Sequence, residues 1–310
     1  MERDAYRKFL FVVCLAACCW PAVSTAMALV AGMLFSLLVG NPWGKGAAKL
    51  SKIVLQLSVV GLGFGLSLGE VVKAGRASVL YTTIGISLTL AIGYLLGKWY
   101  KVESNTSALV SFGTAICGGS AIAAMAPVLK AKDHEIAVAL ATVFLLNSVA
   151  LLVFPPFGHM AGLSQELFGT WAGLAIHDTS SVVGAAAAYG SKALAVGTTV
   201  KLSRAIWITP VVIAAGYFKR SSQRATVPLF IVGFIVAATM RTMLPQLHGL
   251  FDGASAVSKQ ALVLTLFLIG TGLSKEVLKK VGMRPLLQGV TLWLLVSAAT
   301  LGALMLVGVR

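Results

Sequence analysis

The chain has 310 residues, of which 58% are hydrophobic and only 11% charged. Soluble domains carry about a quarter charged residues, so this balance excludes a soluble globule and fits an all-α protein threaded repeatedly through a membrane. The formal net charge of +15 sits singly or in small groups between apolar runs, which is the loop asymmetry of membrane proteins rather than a nucleic-acid-binding surface.

In chain order, Arg7-Lys8 and the apolar run 9–19 imitate a secretory leader, and Leu15-Ala16-Ala17-Cys18 resembles a lipoprotein processing site. The run leads straight into another apolar stretch, so it reads as a short first span ended by Pro21, with cleavage after Ala17 or Ala28 as the alternative. Residues 26–39 form a second span, followed by a basic turn with Pro42, Lys45 and Lys49. Spans follow at 51–66 and 77–97, then a segment at 106–129 interrupted at Cys117-Gly118-Gly119-Ser120. Residues 136–154 make a sixth span, stopped by Pro155-Pro156. The seventh, 165–189, holds His177 and Asp178 between its apolar halves. An eighth, 194–218, contains Lys201, Arg204 and Pro210, and three more lie at 227–243, 257–273 and 286–309. The expected architecture is therefore about ten to eleven transmembrane helices. The four cysteines read as reduced, since Cys14, Cys18 and Cys19 share one apolar run and Cys117 lies in another.

Lysines and arginines fall about two to one on the side of the N-terminus, which places that end in the cytoplasm. The chain also repeats itself. Ser51-Lys52, the GFGLS run at 63–67 and Glu70 are echoed by Ser258-Lys259, GTGLS at 270–274 and Glu276. These copies fall on spans of opposite direction, as an inverted repeat requires. A second echo sets GTAICGGS at 113–120 against GLAIHDTS at 173–180, joining the two interrupted segments. The organisation expected is an N-terminal half, residues 1–157, broken around 117–120, and a C-terminal half, residues 158–310, broken around 177–181.

Depth singles out the chemistry. Arg204 lies ten residues past Leu194, about 15 Å into its span and near the midplane of a core about 30 Å thick. Asp178 is at similar depth, and Lys201 is one turn from Arg204 on the same helix face. A buried ion pair of Asp178 with Arg204 is the structural alternative. The functional reading notes that two cations exceed one carboxylate, while Gly118-Gly119 and Thr179-Ser180 let new half-helices start with free N–H groups aimed at the break. Half-helix N-termini at mid-membrane cradle anions in transporters. Candidate substrate-binding residues are Cys117, Gly118, Gly119, Ser120, Thr179, Ser180, Ser181, Lys201 and Arg204; His177 and Asp178 are candidates for coupling a proton or sodium ion. Asn147 and Trp207 either face the cavity or pack. Ser120, His177 and Asp178 lack a hydrolase arrangement, and Cys117 with His177 is too few ligands for a metal site, so no catalysis, cofactor or metal is expected.

The stretches 113–143, 169–190 and 200–212 resemble signature blocks of the YeiH-type family of bacterial membrane proteins, which carries a sulfate-exporter label. The resemblance covers nearly the whole chain. It implies kinship with the cation–proton antiporter and bile-acid transporter superfamily, whose fold has inverted repeats, a panel domain and a core of two discontinuous helices crossing near the midplane. Ser180-Ser181 departs from the Ala-Gln expected in many relatives. The function so implied is secondary transport of a small oxyanion, sulfate or a sulfonate, across the inner membrane with a proton or sodium ion; the alternative is a passive anion channel or a non-transporting sensor or scaffold. Expected partners are the anion, the coupling ion and the lipid bilayer, a homodimer is compatible, and nucleic acid is not among them.

Overall fold

Backbone groups in lipid have no water to bond to, so each segment closes its own hydrogen bonds by coiling. The computed structural model describes residues 2–20, 23, 25–219, 229–272 and 282–308, and their regular structure is helical throughout. Pro21, the expected start of a span at 227, the ends of two others at 273 and 309, and the second repeat copy beyond Gly272 lie outside these residues. So do the basic residues at 220, 224, 275, 279, 280 and 310.

The helices are α1 (Glu2–Ala17), α2 (Thr25–Leu38), α3 (Gly44–Gly63), α4 (Leu68–Trp99), α5 (Ser104–Ala115), α6 (Gly119–Leu129) and α7 (Asp133–Met160). They continue as α8 (Gln165–Ala175), α9 (Thr179–Tyr189), α10 (Ser191–Ile206), α11 (Ile208–Lys219), α12 (Leu229–Met243), α13 (His248–Gly270) and α14 (Met283–Val307). Among the described residues, six stretches are long and apolar enough to cross a membrane: Gly46–Gly63, Val79–Trp99, His134–Met160, Ser191–Tyr217, Pro245–Gly270 and Met283–Val307. The protein is an all-α, multi-pass membrane protein.

Several boundaries differ from the sequence reading: α3 opens at Gly44 and takes in Lys45 and Lys49 of the expected turn, and α4 opens at Leu68, ahead of the apolar run at 77. The sixth span does not stop at Pro155-Pro156; α7 runs through both prolines to Met160. Interior proline costs about 3 kcal/mol, and packing offsets it: Phe154 stacks on Trp171 at 4.1 Å, and Gly158 lies under the rings of Phe168 and Tyr189. The eighth span is parted at Trp207, because Pro210 has no N–H for the carbonyl of Ile206. Finally, α13 starts at His248, nine residues before the apolar run at 257, after a 3-10 turn at Pro245–Leu247.

The chain divides into two compact units, Met1–Val72 with Pro228–Leu278, and Lys73–Val227 with Lys279–Arg310. In the first, α13 packs on α2 and α3, and α3 also packs on α12. The echoed motifs end α3 and α13 at the same motif glycine, Gly63 and Gly270, followed by Phe64 (φ −67, ψ −15) and Thr271 (φ −68, ψ −14). Each glycine allows a close crossing: a β-carbon on Gly63 would lie 2.5 Å from the Phe234 carbonyl oxygen of α12, and one on Gly270 would strike the Leu29 carbonyl of α2.

In the second unit α10 packs along α8 and α9, and α7 along α5 and α9. Small residues set the α8–α10 distance. A β-carbon on Gly169 would sit 2.7 Å from the Ala193 carbonyl oxygen, and one on Gly173 2.9 Å from Val200. Such small-residue stripes let membrane helices gain dispersion contact where lipid gives no hydrophobic drive. Their effect is to bring the middle of α10 against the end of α8.

Candidate functional site

In the second unit, both echoed segments lose helical geometry, at residues 116–118 between α5 and α6 and at 176–178 between α8 and α9. Each lapse occupies the same three positions of the echoed motif, so Ile116 matches Ile176 and Gly118 matches Asp178. Gly118 has φ 63 and ψ −125, a conformation open essentially to glycine alone. A β-carbon there would lie 3.2 Å from Cβ of Asp178, so the two breaks touch at this pair.

The cations of α10 lie between the breaks. Lys201 is fully buried and Arg204 is 2% exposed. Lys201 Nζ donates to the carbonyl oxygens of Ile116 at 3.1 Å and Ile176 at 2.6 Å, equivalent positions in the two motifs. Arg204 repeats the pattern one turn on. Its Nε donates to the Ala115 oxygen at 2.7 Å, its Nη2 to that of Thr114 at 3.2 Å, and its Nη1 to that of Leu174, the match of Thr114. The C-terminal carbonyls of α5 and α8 carry partial negative charge and lack intrahelical partners. Two side chains of α10 thus close both helix ends at once.

Among the described residues neither cation pairs with Asp178. The Asp178–Arg204 ion pair is replaced by these carbonyl bonds, since the carboxylate is committed elsewhere. It caps α9, accepting from the Ser181 N–H at 3.1 Å and from the Ser180 hydroxyl. Counted at their formal charges, Lys201 and Arg204 exceed Asp178 by one. Two half-helix C-termini and two N-termini, each about half a charge, cancel among themselves.

On the helices around the two breaks, buried polar atoms lack hydrogen-bond partners: Thr114 Oγ1 on α5, Asn147 Nδ2 on α7 and Thr198 Oγ1 on α10. His177 is 1% exposed. Its backbone N–H donates to Asn147 Oδ1 at 3.2 Å, while neither ring nitrogen meets a partner at bonding distance and angle, with the Val143 backbone beside the ring. Unpartnered buried polar groups cost about 1–3 kcal/mol each and mark places that a ligand or water fills.

The candidate residues do not all converge. Gly118, His177, Asp178, Ser181, Lys201 and Arg204 gather where the two breaks touch; Cys117 is buried within the first break; Thr179 and Ser180 are half-buried at the start of α9. Ser120 is exposed on the first turn of α6, and Gly119 faces the Phe144 ring. Trp207 is half-buried at the end of α10. Sequence reading missed Thr114 and Thr198. Thr114 stands inside the echoed motif and Thr198 is three residues before Lys201, so periodicity pointed to both. The carbonyl oxygens that hold the cations have no sequence signal.

A family model described as Conserved hypothetical protein 698 matches residues 10–289. The chain is 62% identical over 306 residues to UPF0324 membrane protein GSU2818 of Geobacter sulfurreducens, covering 99% of both chains. It is 48% identical to UPF0324 membrane protein Bd1437 of Bdellovibrio bacteriovorus, covering 99% of this chain and 96% of that one. Identity to UPF0324 membrane protein VV1_3166 of Vibrio vulnificus is 45%, over 97% and 99% of the two chains. No solved structure matches the chain. These matches agree with the YeiH-type resemblance carried by the signature blocks.

Proposed function

The chain belongs to the Conserved hypothetical protein 698 family, and we propose that it is a secondary transporter moving a small oxyanion, sulfate or a sulfonate, across the bacterial inner membrane. One observation carries the reading: Lys201 and Arg204, both buried, join the carbonyl ends of two interrupted helices among buried polar atoms that lack partners. Intramembrane charge of this kind is expensive and points to a pathway. The excess positive charge selects an anion.

In this reading α5–α6 and α8–α9 are two discontinuous transmembrane helices crossing near the midplane. Both cations fix the crossing, and their remaining N–H groups meet the anion together with backbone amides of Gly119, Thr179 and Ser180, since the Gly118 and Ser181 amides bond the Gly113 carbonyl and Asp178. Cys117 lines the first break. His177 and Asp178 couple a proton or sodium ion. The matched ends of α3 and α13, each crossing the other copy's preceding helix, support an inverted repeat. The N-terminus is cytoplasmic.

Reconstituted vesicles loaded with a panel of radiolabelled oxyanions, with and without imposed proton and sodium gradients, test the proposal. Saturable sulfate or sulfonate accumulation driven by one gradient is expected. Flux that never exceeds the equilibrium ratio would make the protein a channel, and absence of both binding and flux would leave a scaffold.

A further inference from the structure

Away from the crossing, the second unit holds a cavity of about 500 Å³ between the end of α4 and the start of α5. Its wall carries Lys98, Lys101 and Ser104 together with Leu90, Tyr94 and Phe112. Among the described residues neither lysine has an acidic partner. Lys98 Nζ instead lies 4.5 Å from the centre of the Tyr94 ring, a cation–π contact that holds the ammonium at the wall.

Lys101 is placed by an unusual backbone. The Val102 N–H bonds the Gly97 carbonyl at 2.9 Å and the Lys101 N–H bonds that of Lys98 at 3.2 Å, a Schellman ending of α4. The left-handed position of that motif normally takes glycine, yet here it is Lys101, with φ 53. This conformation costs about 1 kcal/mol in a residue with a side chain. It also satisfies the last carbonyls of α4, so they do not compete for the ammonium groups. Beside the cavity, Gln288 Nε2 donates to Ser107 Oγ at 2.8 Å and to the Gly93 oxygen at 3.0 Å, while its Oε1 meets no partner. Glu103, at the start of α5, leaves that helix uncapped by a side chain and faces His134 at 3.3 Å.

We propose that this cavity binds the phosphate-bearing headgroup of an anionic membrane phospholipid, with an acyl chain laid along α4. Two unpaired ammonium groups beside first-turn N–H groups match a phosphodiester. The apolar residues of the wall and the exposed Leu88, Leu95 and Trp99 of α4 match a hydrocarbon tail. Trp99, 76% exposed, stacks at 6.0 Å on Tyr100, whose hydroxyl is 3.0 Å from Thr291 Oγ1. Aromatic residues so placed mark headgroup level. A free phosphate has the same charge but no use for the apolar wall.

The test measures binding of phosphatidylglycerol, phosphatidylcholine with the same acyl chains, and inorganic phosphate to the purified protein, by native mass spectrometry and thermal unfolding. Phosphatidylglycerol is expected to bind and raise the unfolding temperature, phosphatidylcholine to do neither, and millimolar phosphate to displace little of it. Lys98→Gln and Lys101→Gly should each weaken phosphatidylglycerol binding about fivefold. Lys101→Gly should remain at least as stable as the parent in phosphatidylcholine, which separates loss of binding from loss of folding. Equal retention of the two lipids, unchanged affinity in the double variant, or full displacement by phosphate would each overturn the proposal.

Discussion

At the scale of single residues, Arg204 does two jobs that pull in different directions. Its guanidinium closes carbonyls of two helices, and in the proposed transporter the same charge is offered to the anion. Arg204→Ala therefore removes a counter-charge and leaves carbonyls of Thr114, Ala115 and Leu174 unpaired, at a cost of about 3 kcal/mol. Thermal unfolding in detergent should read a lower transition temperature as well as lost flux; an unchanged transition would contradict the carbonyl contacts. Lys201→Gln keeps a donor for the Ile116 and Ile176 oxygens but not the charge. It is expected to fold with a smaller loss of stability while sulfate transport disappears. Gly118→Ala carries a separate expectation, because a methyl at φ 63 lies 3.2 Å from Asp178 Cβ. About 1–3 kcal/mol should be lost there, whereas Gly119→Ala, at ordinary helical geometry, should cost less.

At the scale of elements, the starts and stops follow local rules where those rules act alone. Ser67 and Glu70 open α4 with a capping box: the Ser67 N–H donates to Glu70 Oε2 at 2.8 Å, and the Glu70 N–H to Ser67 Oγ at 3.3 Å. The Ser67 backbone N–H and then its hydroxyl hold the Glu70 carboxyl below the ordinary carboxylate range. A depressed acid stabilises the folded state above its unfolded pKa, and that contribution is lost as pH falls through the folded value. Ser67→Ala should thus cost about 1 kcal/mol at neutral pH and progressively less in acid, as unfolding at pH 7 and pH 3.5 would show. The apolar runs and the all-helical class were legible in the sequence for the same reason, being local chemistry. Prolines 155 and 156 were misread because Phe154, Trp171 and Phe168 meet only in three dimensions. The partners of Lys201 and Arg204 were illegible for a different reason, since every residue type carries the same carbonyl.

At the scale of the whole molecule, a chain so poor in charge keeps its costliest charges where two interruptions meet, and a transporter gives that arrangement a use. Coupling through His177 predicts that an imposed pH gradient drives flux and that His177→Ala weakens the dependence without abolishing anion binding. Flux indifferent to proton and sodium gradients alike would remove His177 and Asp178 from that role. The most direct measurement is uptake of radiolabelled sulfate or a sulfonate into vesicles containing the intact protein or its Lys201→Gln form, under an imposed ion gradient. The account predicts accumulation above the outside concentration for the intact chain and none for the variant. Equal uptake by both would contradict it.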